Sequence, residues 1–92
     1  MYPEELEISA ERRTYLGMVT AMDEMLGQII TELENNGMYQ DSIVVFSSDN
    51  GGSSNSGAAS NLPLRGFKGT YYEGGIRVPA FVHSPKHVKN PG

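Results

Sequence analysis

Ninety-two residues with a formal net charge of -4 and no cysteine leave room for one small domain and exclude disulfides and thiolate metal sites. The acidic balance, with basic residues scattered singly apart from Arg12-Arg13, argues against a nucleic-acid or anionic-membrane partner. No stretch approaches the roughly 18 apolar residues of a membrane span, and the acidic start MYPEELEISAERR lacks the apolar core of a signal peptide.

Residues 1–9 read as an acidic lead-in. Ser9 has the chemistry of a helix N-cap, and Glu11 places a carboxylate in the first turn, where it suits the helix dipole. Apolar residues then recur at Tyr15, Val19, Met22, Leu26, Ile29 and Leu33, in steps of four and three. This spacing predicts an amphipathic helix over 10–36, with Glu24, Gln28, Thr31 and Glu32 on its solvated side. Gly37, following Asn35-Asn36, suits the left-handed residue that ends such a helix. The unbroken apolar run Ile43-Val44-Val45-Phe46 predicts a strand over 43–48, buried on both faces as in a parallel sheet covered by helices. Residues 49–75 are polar and glycine-punctuated, and read as loops. A second strand is expected over 76–83. Pro79 lies inside it and removes a ladder donor, so that strand is at an edge, bulged or short. Residues 84–92 form a polar tail. One long helix with a full apolar stripe and one or two inner strands cannot cover each other, so the pattern implies part of a larger α/β domain.

Asp49-Asn50 follows the first strand directly, and open α/β sheets bind ligands beyond the carboxyl ends of their strands. A carboxylate beside an amide carbonyl offers two hard oxygens, suited to Ca²⁺ or Mg²⁺, although Ca²⁺ takes about six to eight such ligands. The dipeptide alone favours a simpler reading, because Asp-Asn-Gly-Gly is also a good turn. Lys68, in RGFKG, lies between glycines that let the backbone approach a bound anion, and its ammonium is a point charge for a sulfate or phosphate oxygen. The commoner role for a loop lysine is a solvated one, and no GxxxxGK[ST] phosphate loop is present. Arg65, Glu73 and Arg77 read as charges that fasten the glycine-rich turns; His83 and His87 read as structural or surface residues. A triad of Ser47, His83 and Asp49 has no GxSxG elbow to support it.

Three segments, VTAMDEMLGQII, IVVFSSDNGG and LRGFKGTYYEGGIRVPAFV, resemble in order and spacing the C-terminal part of a sulfatase catalytic domain. NLPLRGFKGTYYEGGIR and FVHSP are most similar to the arylsulfatase B-like group. The resemblance implies an α/β fold of the alkaline-phosphatase-like, sulfatase sandwich type, of which residues 1–92 are a part. It implies Asp49 and Asn50 as ligands of Ca²⁺, Lys68 as a catalytic contact to the sulfate, and a sulfated carbohydrate or aryl sulfate as substrate, N-acetylgalactosamine 4-sulfate of glycosaminoglycans among them. It further implies lysosomal or extracellular placement and a formylglycine nucleophile. The C-x-P-S-R motif that carries formylglycine is absent from this sequence, as are an N-terminal Asp-Asp metal pair and an upstream catalytic histidine. The isolated chain is therefore expected to be inactive. The alternative is a non-catalytic sulfatase-like remnant or interaction module.

Overall fold

A computed structural model describes residues 8–55 and 57–89. Most of the expected lead-in (1–7) and the end of the tail (90–92) lie outside the described residues. The helix α1 runs Ala10–Asn35. The Ser9 hydroxyl accepts the Arg12 amide at 3.1 Å, which satisfies one of the free donors of the first turn. At the other end Gly37 adopts φ 68°. The Met38 amide reaches the Leu33 carbonyl at 2.9 Å and the Gly37 amide the Glu34 carbonyl at 3.0 Å, the paired bonds of a Schellman cap. Asn36 falls just outside the helix, and its side-chain amide donates back to the Glu32 carbonyl at 2.8 Å.

After a 3-10 turn at Tyr39–Asp41, strand β1 spans Val44–Ser47. A single helical turn, α2, covers Glu73–Ile76, and strand β2 covers Ala80–His83. β1 and β2 form a two-stranded antiparallel sheet that pairs Val44 with His83 and Ser47 with Ala80. The cross-strand pair Phe46 and Phe81 stacks, with ring centroids 5.2 Å apart. Beyond β2 the Ser84 hydroxyl, fully buried, donates to the Ser42 carbonyl at 2.9 Å. His83 stacks on Tyr39 and bonds its hydroxyl at 2.8 Å, while Lys86 pairs with Asp41 at 2.6 Å. These three contacts tie the end of β2 and the segment after it to the one before β1.

Three expectations are corrected. The first strand is not buried on both faces and belongs to no parallel pair among the described residues. It alternates half-buried and exposed positions, with Val45 69% exposed, because no layer of the described structure covers either face; among the elements, α1 approaches only the 3-10 turn. The second strand is shorter than 76–83, since Ile76 closes α2 and Pro79 cannot donate to the ladder. Pro79 sits just before β2, and its carbonyl accepts the Ser48 amide at 3.1 Å. Finally, residues 73–75, expected as loop, are helical together with Ile76, through bonds from the Gly75 and Ile76 amides to the Tyr72 carbonyl. Glycine pairs disfavour helix, so local propensity does not announce this turn; it is fixed by the packing described next.

Candidate functional site

The polypeptide from 49 to 75 folds back on itself so that its glycines meet backbone to backbone. The Gly51 amide donates to the Gly75 carbonyl at 2.9 Å, and the Gly74 amide to the Arg65 carbonyl at 2.7 Å. A Cβ on Gly51 would collide with the Gly74 carbonyl, and one on Gly74 with the Gly66 carbonyl. Gly74 and Gly75 are buried for that reason. The chain end of β1 and the lysine-bearing turn are thereby brought together through main-chain contacts.

Asp49 and Asn50 are both exposed at the carboxyl end of β1. Asp49 Oδ1 accepts the Asn50 amide at 2.9 Å, and Asn50 Nδ2 donates to the Gly51 carbonyl at 2.8 Å. That arrangement leaves Asp49 Oδ2 and Asn50 Oδ1 without hydrogen bonds among the described residues. Ser48 Oγ donates to the Asn50 carbonyl at 3.1 Å and braces the pair from behind. Two hard oxygens fit the chemistry of a divalent cation such as Ca²⁺. No group of three or more His, Cys, Asp or Glu side chains gathers among the described residues.

Lys68 is exposed, and its side chain takes no ion-pair partner among the described residues. Its main chain is fixed: the Lys68 amide donates to the Gly52 carbonyl at 3.1 Å, two residues beyond Asn50. The turn around it is closed by Thr70, whose hydroxyl donates to the Phe67 carbonyl at 2.7 Å. Asn61, which the sequence does not single out, lies between the two halves. Its Oδ1 accepts the Gly52 amide at 2.7 Å, and its Nδ2 lies within bonding distance of the Gly52 and Gly66 carbonyls, at 3.0 and 3.2 Å. Nothing local distinguishes it from Asn55 or Ser60 in the same polar loop; only its non-local partners do.

The other charged residues are placed elsewhere. The Arg65 guanidinium lies over the Tyr72 ring at 4.3 Å, and Glu73 pairs with Arg77 along α2 at 3.2 Å, both exposed. His83 is engaged by Tyr39 and His87 is exposed. The Ser47 hydroxyl donates to the Ser48 carbonyl. Val44, not Ser47, faces His83 across the sheet, so Ser47, His83 and Asp49 form no triad.

In this α/β chain the exposed pair Asp49-Asn50 follows β1 directly and stands beside a lysine turn held by main-chain bonds. The family model described as Sulfatase matches residues 2–90. Arylsulfatase J of Mus musculus is 49% identical over 85 residues, covering 92% of this chain and 14% of that protein. N-acetylgalactosamine-6-sulfatase of Mus musculus is 36% identical over 80 residues, 84% of this chain and 15% of that protein. The crystal structure of Ps i-CgsB in complex with k-i-k-neocarrahexaose superposes with a TM-score of 0.84 at 43% identity, covering 91% of this chain and 18% of that one. The chain belongs to the sulfatase family. It spans about one-seventh of the length of the curated relatives it matches, and its long helix and two-stranded sheet are a part of the sulfatase fold.

Proposed function

We propose that this chain supplies the carboxyl-edge half of the active site of a calcium-dependent sulfatase. Asp49 and Asn50 hold the metal through Oδ2 and Oδ1, and Lys68 contacts the sulfate. The observation that carries the reading is the bond from the Lys68 amide to the Gly52 carbonyl, which fixes the lysine turn beside the strand end that bears the ligand pair. When bound, Ca²⁺ supplies Lewis-acid polarisation of a sulfate oxygen. Lys68 does the electrostatic part, holding an ammonium where negative charge gathers on the transferring group. Asp49 Oδ1 and Asn50 Nδ2 are each engaged by a neighbouring main-chain group.

The substrate class is a sulfated carbohydrate or aryl sulfate. A mammalian relative is named for N-acetylgalactosamine 6-sulfate, and the 4-sulfate of that sugar in glycosaminoglycans is the other member of the class we put forward, with lysosomal or extracellular placement. The nucleophile is a formylglycine contributed from outside these 92 residues, and the isolated chain does not turn over substrate. Among the described residues no helix is long and apolar enough to cross a membrane.

The test is a chimera in which residues 2–90 replace the matching segment of Arylsulfatase J. The chimera hydrolyses an aryl sulfate and loses that activity on chelation. Asp49→Ala or Lys68→Ala within it lowers kcat/KM by roughly a hundredfold or more. Retention of activity within about twofold in both variants sinks the proposed roles.

A further inference from the structure

We propose that Asn61 is a positioning residue that couples the metal half of this site to its sulfate half. The proposal rests on the reading of Asp49, Asn50 and Lys68 given above. The side-chain amide behaves as an extra peptide group laid against Gly52: Oδ1 takes the Gly52 N–H and Nδ2 meets the Gly52 C=O, as a strand neighbour would. The Gly52 carbonyl also accepts the Lys68 amide, and a carbonyl oxygen has two lone pairs for the two donors. Nδ2 further meets the Gly66 carbonyl, two residues before Lys68. One side chain therefore bonds both the segment that follows Asn50 and the segment that precedes Lys68.

The sequence is built to admit this contact. A Cβ on Gly52 would lie 2.6 Å from the Ala59 Cβ and 3.1 Å from Asn61 Oδ1, so a side chain there would push the amide away. Asn61 is partly buried, and both of its donors and one acceptor site are used within the fold. Asp at this position keeps the acceptor but sets a carboxylate against two carbonyl oxygens. Gln adds a methylene and cannot keep all three distances.

The experiment is amide hydrogen exchange on the Arylsulfatase J chimera described above, ¹⁵N-labelled only in residues 2–90 by segmental ligation, wild type against Asn61→Ala and Asn61→Asp, with the α1 amides as the folding control. In Asn61→Ala, exchange at Gly52 and Lys68 accelerates by roughly tenfold or more while α1 changes by less than about twofold. In Asn61→Asp the Lys68 amide accelerates likewise, and Gly52 is spared because its acceptor remains. Unchanged Lys68 exchange in both variants overturns the proposal. Calcium alone is then titrated into the same samples. In the wild type it shifts the Asn50 and Lys68 amides together; in Asn61→Ala the Asn50 response persists and the Lys68 response is lost. A Lys68 response that survives in Asn61→Ala also overturns the coupling. Absence of any calcium response in the wild type counts against the metal reading of Asp49 and Asn50, and the exchange result still decides the role of Asn61.

Discussion

Gly51 shows how tightly the candidate site is specified at the scale of one residue. Its φ is unremarkable; what demands glycine is proximity, since an added methyl would enter the Gly74 carbonyl. Gly51→Ala is expected to open this contact at a cost of about 1–3 kcal/mol, the usual range for overpacking. Because the Gly51 amide bonds the Gly75 carbonyl, exchange at that amide should accelerate while the β1–β2 ladder keeps its protection. Equal protection in variant and wild type would show that the backbone contact is not what holds the loop. Sequence reading reaches some of these residues and not others. Asp49, Asn50 and Lys68 stand out because their types carry chemistry and because glycines flank them. Asn61 carries the same chemistry as its polar neighbours, and its partners lie nine residues back and five ahead, so no local pattern marks it.

At the scale of elements, α1 is the part most fully written in local sequence: a period of three and four, a hydroxyl at the start and a glycine after the end. The N-cap can be tested through its own titration. The Glu11 carboxyl is held below its ordinary value of 4.5, first by its own backbone amide and then by the Ser9 hydroxyl. A carboxylate depressed in the folded state stabilises it above the ordinary pKa, and that contribution is lost as pH falls through the folded value. The contribution of Glu11 to the first turn should therefore be lost only as pH falls below the ordinary carboxylate range. Ser9→Ala is expected to cost about 1 kcal/mol through the lost cap, to fray the first turn, and to move the Glu11 titration up toward its ordinary value. Carbon-detected pH titration of Glu11 beside circular dichroism checks both; an unmoved Glu11 titration would refute the contribution of the hydroxyl. The strands were less legible than the helix for a physical reason. A continuous apolar run reports that a segment is made to be covered, but the direction of its partner is set by pairing with residues far along the chain, Val45 with Val82 for example, and periodicity carries no record of that.

For the whole molecule the quantities agree on one conclusion. The accessible surface is 7426 Å², whereas a compact monomer of 10.0 kDa exposes about 5,200 Å². The radius of gyration is 16.5 Å, against about 12 Å for a compact chain of this length. The apolar stripe of α1 accounts for part of the excess: no residue of the helix is buried, and Met18, Met25 and Ile29 are about half exposed or more. The imbalance was already visible in the sequence, as one helix and two strands with more apolar surface than they can hide from water. Its energetic consequence is a chain whose local bonds are in place while the hydrophobic term that would make unfolding cooperative is largely unspent. The isolated chain is therefore expected to bind anilinonaphthalene sulfonate strongly and to lose helix over a broad thermal range. Met22→Glu with Ile29→Lys, two good or tolerated helix residues placed on the stripe, should lower that dye fluorescence by roughly twofold or more while leaving the N-cap and C-cap signals in place. A sharp transition with no dye enhancement in the wild type would mean that the stripe is covered in solution, and sedimentation of the same sample would then show whether a second copy covers it.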